Sequence, residues 1–237
     1  MTDTQPPSTE EPTPAVKPPA KKPRAAQDQA TANLITACRT SLTSARNNLD
    51  FIALSGSRGY GAPGLAEGLK ACDLAQEKFN AREIAMDTKR IASKVLKSAD
   101  AAARSGYADF CRIASKVFVD NANARTALVI PVRDLQDLQK FVTDVTAAYN
   151  TALARSTYMT ALSKRGYTPD AVQAELAKLA ALTEASAAFD AAVTEATRAT
   201  ADRNATVKAL KAWWAEFYAV SQVSLKDRPD LLKLLKA

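Results

Sequence analysis

The chain has 237 residues, is 47% apolar and carries a formal charge of +7, with seven glycines and no histidine. That apolar share suffices for a core, and few glycines and aromatics beside abundant alanine select helices over strands. Alanine loses no side-chain entropy in a helix, whereas strands draw on β-branched and aromatic residues. Without histidine, every Ser-His, Cys-His and His-metal constellation is excluded, including the Glu-x-x-His pairs of di-iron bundles.

Residues 1–27 contain seven prolines and no apolar periodicity, so the expectation is a disordered, partly polyproline-like tail. The run Pro19-Ala20-Lys21-Lys22-Pro23-Arg24 offers a small basic arm. Asp, Glu and Pro stand where a signal peptide would be basic and then apolar, and no stretch of about 18 apolar residues follows. A cytoplasmic chain without a membrane span is expected. Cys38, Cys72 and Cys111 lie far apart with no CxxC spacing, so they are expected to be small buried hydrophobes in a reducing setting.

From Gln29, Leu34, Cys38, Leu42, Ala45, Leu49 and Ile52 recur at helical spacing and predict one helix ending at Ser55-Gly56. A second seam, Leu135, Leu138, Val142, Val145, Tyr149, Ala152, Ser156 and Met159, follows the same alternation and predicts a helix ending before Gly166. The two superimpose at an offset of 107 residues, which also carries Arg58-Gly59-Tyr60 onto Arg165-Gly166-Tyr167, Phe110 onto Phe217, Asp120 onto Asp227 and Leu128 onto Leu235. One register shared by a seam, a turn and a closing segment points to an internal duplication.

Each unit then reads as a seam helix, an Arg-Gly-Tyr turn and a second helical stretch without interior proline. Gly59 and Gly166 suit helix ends that need positive φ, and Pro63 and Pro169 suit the first turn of the next helix. An unbroken second helix would be about 80 Å long, so a kink or break is expected near residues 77–82 and 183–187. Trp213 and Trp214 are expected to anchor a core.

The ending, Trp214 through Leu235 with Asp227-Arg228-Pro229-Asp230-Leu231-Leu232 at its close, resembles a loose group of uncharacterised bacterial all-helical proteins. Those carry a similar aromatic helix and Asp-x-Pro-x-Leu-Leu closure. The resemblance implies a helical fold and transfers no functional residue.

No phosphate loop is present: Gly56-Ser57-Arg58-Gly59-Tyr60-Gly61 matches neither a Walker motif nor a dinucleotide fingerprint, and no strand precedes it. No paired carboxylates sit in an apolar setting that would raise a pKa for acid–base work. One arrangement stands out. On a helical wheel Lys89, Arg90, Lys94, Lys97, Arg104 and Arg112 share one face while Ile84, Ile91, Val95, Ala102 and Ile113 gather opposite. The second unit thins this ridge to Arg198, Arg203, Lys208 and Lys211.

The sequence therefore predicts an all-α, elongated antiparallel helical bundle of two tandem pseudo-symmetric units, 28–131 and 132–237, behind the tail, with the units packed together. It predicts no enzyme, cofactor or metal. The expected function is that of a structural or interaction protein, a scaffold, spacer or assembly subunit with a protein partner or self-association. The alternative is binding of nucleic acid or another polyanion through Lys21, Lys22 and Arg24 of the tail and Lys89, Arg90, Lys94, Lys97, Arg104 and Arg112 of the ridge.

Overall fold

A computed structural model describes residues 24–130 and 136–235. The expectations for residues 1–23, Lys21 and Lys22 among them, and for Leu135 lie outside the described residues. The chain is all-helical there: α1 (Arg24–Arg46), α2 (Leu49–Gly56), α3 (Ala62–Val117), α4 (Ala122–Ala127), α5 (Leu138–Ala154), α6 (Ser156–Ser163), α7 (Pro169–Ser224) and α8 (Pro229–Leu232), closed by a 3-10 turn at Lys233–Leu235. Helix α1 begins at Arg24, so residues 24–27, expected in the tail, are helical.

Two further expectations are corrected. Both seam helices break: Asn48 caps α2 by accepting a hydrogen bond from Phe51 N, and Arg155 in extended backbone separates α5 from α6. The register slips there, leaving Leu49 81% exposed while Phe51 enters the core. Ser156, its counterpart in the second seam, is also exposed. Conversely, neither long helix is broken near 77–82 or 183–187, because α3 and α7 each run through 56 residues. They pack on each other through small side chains, Ala85 meeting Ala196 and Ala199 at mid-length.

Helices α3 and α7 are antiparallel, with Gly68 against Trp213 at one end and Gly106 against Glu175 at the other. The ion pairs Arg39 to Asp73 and Asp28 to Arg82 show that α1 runs antiparallel along α3 as well. A large core lies at each end. One gathers Tyr107, Phe110 and Leu128 with Phe141, Tyr149 and Leu182. The other gathers Leu42, Phe51 and Cys72 with Leu210, Phe217 and Leu235. Each thus combines the start of one long helix with the end of the other. Trp213 and Trp214 pack against Phe217 in the second core, with Trp213 stacked at 5.2 Å.

Several boundaries recur at a spacing of 107: α2 with α6, and α3 with α7. The turns before the long helices use Gly59 at φ 88° and Gly166 at φ 93°, backbone that a β-carbon would strain. Ser55 Oγ and Ser163 Oγ, 108 apart, each donate to the carbonyl of the following tyrosine, Tyr60 or Tyr167.

Candidate functional site

Between the two cores the protein narrows to α3, α7 and the first turns of α1. Two arginines are almost fully enclosed there, Arg82 at 2% and Arg203 at 8% exposure. Asp28 of α1 accepts from both, 3.0 Å from Arg82 and 3.3 Å from Arg203. Arg82 also contacts Glu83, and Arg203 donates to Thr31 Oγ1. One carboxylate therefore fastens α1 to both long helices. Burying two guanidinium groups costs several kcal/mol unless they are paired and hydrogen-bonded, which gives Asp28 its structural weight.

The basic ridge divides into two kinds of residue. Arg90, Arg104 and Arg112 pair with acids one turn back, Asp87, Asp100 and Asp109. Arg104 is partly enclosed and lies 4.5 Å over the Phe141 ring, a packing contact with the α5 end. Lys94 and Lys97 are exposed and Lys89 half-buried, and none of the three makes an ion pair among the described residues. Arg24 opens α1.

Three adjoining grooves follow the midsection. The first, about 670 Å³, lies between α1 and α7 and is lined by Arg203, Lys208 and Lys211. The second, about 440 Å³, is lined by Arg82, Lys89 and Arg203 beyond the tip of α1. In the third, about 390 Å³, Lys89, Arg90, Lys94 and Lys97 surround Phe189 of α7. No carboxylate lines any of them.

Arg82 and Phe189 were not among the residues singled out in the sequence. Arg82 had left a trace, because it sits at helical spacing from the buried Ala75 and Ala85. Phe189 had left none, since it acquires its cations only from the opposite helix.

The aliphatic side chains facing away from the ridge do not enter a core. Ile84, Ile91 and Val95 are 68%, 60% and 53% exposed. Ile84 borders a shallow groove of about 300 Å³ lined also by Ala81, Ala85, Thr88, Ala192 and Glu195. Three exposed β-branched residues on one helix face are an unpartnered apolar stripe, unlike the scattered single hydrophobics of ordinary surfaces.

The end cores hold several buried polar groups. Burial pushes the Cys38 thiol up to about 12 and the Cys72 thiol up to about 11. Tyr107 and Tyr149 are also raised, chiefly by burial. The Tyr107 hydroxyl donates to Val129 O at 2.9 Å, tying α3 to the chain after α4. These groups are held neutral at ordinary pH, which suits packing rather than nucleophilic work.

Among the described residues, no three Cys, Asp or Glu side chains come together as metal ligands, and no helix is long and apolar enough to cross a membrane. No protein-family model, curated protein or solved structure matches the chain.

Proposed function

We propose that the chain is a non-enzymatic interaction protein, a helical spacer that self-associates through the middle of α3. The observation that carries this is the stripe Ile84, Ile91 and Val95, exposed along one face of α3 with Ile84 at the edge of a shallow groove. Covering a large aliphatic side chain contributes about 1.5–3 kcal/mol relative to exposure, so two copies sharing the stripe have a substantial driving force.

A second copy is favoured by charge. Asp87 and Lys94 flank the stripe on the same side at helical spacing. Two α3 helices laid antiparallel across it bring Asp87 of each copy against Lys94 of the other, a self-complementary arrangement of the kind closed dimers need.

Architecture belongs to the same reading: two tandem pseudo-symmetric units, 28–131 and 132–237, exchanging the far halves of their long helices. Support comes from the recurring boundaries and from Phe110 and Phe217, each wholly buried. It comes also from the long-helix contacts, since adding 107 to Gly68 gives Glu175 and adding 107 to Gly106 gives Trp213, so one small-on-large contact maps onto the other. A reducing cytoplasm is part of this proposal, supported by the free thiols of Cys38, Cys72 and Cys111.

The test is sedimentation equilibrium of the full chain and of Ile84→Lys/Ile91→Lys. The expected result is a dimer that becomes monomeric in the variant with helical circular dichroism unchanged. A monomeric unmodified protein at about 100 μM, far above the micromolar range of specific association, would overturn the reading.

A further inference from the structure

We propose that the three adjoining grooves form one continuous site for single-stranded nucleic acid, with the phosphates following the lysines and a base resting on Phe189. The stripe lies on the other side of α3 from the ridge and only Lys94 borders both, so Lys89, Lys97, Lys208 and Lys211 stand clear of the self-associating face.

Continuity comes first. The groove beside α1 and the groove at its tip share Gln27, Arg203 and Asn204, and the latter shares Met86 and Lys89 with the Phe189 groove. Trp213 faces Gly68, so Lys211 lies near the level of residue 70. From there to Lys97 the track is about 40 Å long at 1.5 Å rise per residue.

Charge comes second. Asp28 is engaged by Arg82 and Arg203, and Asp87 by Arg90. Lys89, Lys94, Lys97, Lys208 and Lys211 make no ion pair among the described residues and stand on the track without a lining carboxylate. An uncompensated row of cations in grooves repels itself unless a polyanion joins it, and phosphate binding there gains entropy from released counterions.

The aromatic ring selects a single strand over other polyanions. Phe189 is only partly buried, and it lies in the groove bearing Lys89, Arg90, Lys94 and Lys97. Cations tracking a backbone beside an aromatic platform suit unstacked bases, whose faces are available, whereas a duplex keeps them stacked against each other.

The experiment is fluorescence anisotropy of the full chain with a labelled oligothymidylate of about 20 nucleotides, longer than the roughly 4–16 of known single-strand sites, against the matching duplex and inorganic polyphosphate. If the five lysines each meet a phosphate, single-strand affinity falls roughly a hundredfold from about 50 to about 200 mM salt. Lys94→Glu/Lys97→Glu should lower affinity at least tenfold and flatten the salt slope. Phe189→Ala should weaken the single strand about tenfold, in line with the worth of one stacked base, and leave polyphosphate binding unchanged. Phe189→Leu, which keeps the apolar volume, should lose the same affinity, and thermal melting of each variant reports its folding. The proposal is overturned by no binding at about 50 mM salt, by Lys94→Glu/Lys97→Glu binding as tightly as the unmodified chain, or by duplex and polyphosphate matching the single strand with Phe189→Ala without effect.

Discussion

Gly68 of α3 lies directly beneath the indole of Trp213 on α7, so closely that a β-carbon there would overlap the six-membered ring. The ring in turn stacks on Phe217 and meets Tyr60 edge-on. Glycine inside a helix costs about 1 kcal/mol relative to alanine, yet here it allows the close approach of α3 and α7.

Gly68→Ala should therefore destabilise the protein by about 1–3 kcal/mol, the usual cost of overpacking, with Trp213 fluorescence shifted in the native state. Gly106→Ala meets the end of the flexible Glu175 side chain. That carboxylate can swing aside, and the gain in helix propensity should leave stability within about 1 kcal/mol of the unmodified chain. Equal losses in urea unfolding would contradict this account of the helix approach.

Phe110 and Phe217 are each wholly buried, one per end core. Phe110 meets Tyr149 at 5.0 Å and Phe217 meets Tyr60 at 5.3 Å. Replacing either with alanine should cost about 3–5 kcal/mol, the range for truncating core aromatics. A loss under about 1 kcal/mol at either site, typical of surface positions, would show that its core is not closed.

Asp28→Ala removes the carboxylate shared by Arg82 and Arg203 and leaves two enclosed guanidinium groups in the midsection. Breaking a buried pair from one side costs about 3–5 kcal/mol, and the loss should appear as reduced hydrogen-exchange protection in the first half of α1. Adding Arg82→Met should recover part of it, because one of the two enclosed charges that lost the aspartate is then gone. No recovery would mean that the aspartate acts through packing alone.

Alkaline pH should destabilise the fold. Cys38 and Cys72 rise from the ordinary 9.0 to about 12 and about 11, and Tyr167 rises to about 12, all chiefly through burial. The unfolded chain then loses these protons first, so the stability is present below the ordinary thiol value and drains away as pH rises through the folded values. Melting temperature should fall between about pH 9 and about pH 12, and Cys38→Ala/Cys72→Ala should lessen that slope. A flat profile would show that the thiols are solvated.

Sequence by itself determined the helical class and the two glycine turns, because these rest on local propensity and on spacings within one helix, and its 107-residue offset recurs in the bounds of α2 and α6 and of α3 and α7. It likewise made Val145, Tyr149 and Phe217 legible as core. The breaks at Asn48 and Arg155 were harder to see, since Leu49 and Ser156 continue the spacing while the backbone has already turned away. Only the tertiary structure decided which halves of the long helices share a core, that Ile84, Ile91 and Val95 stay largely exposed, and that Asp28 meets Arg82 and Arg203 across 54 and 175 residues. Helical periodicity states which side chains share a face but not what that face meets. That is settled by the antiparallel register of α3 and α7, fixed where Gly68 receives Trp213.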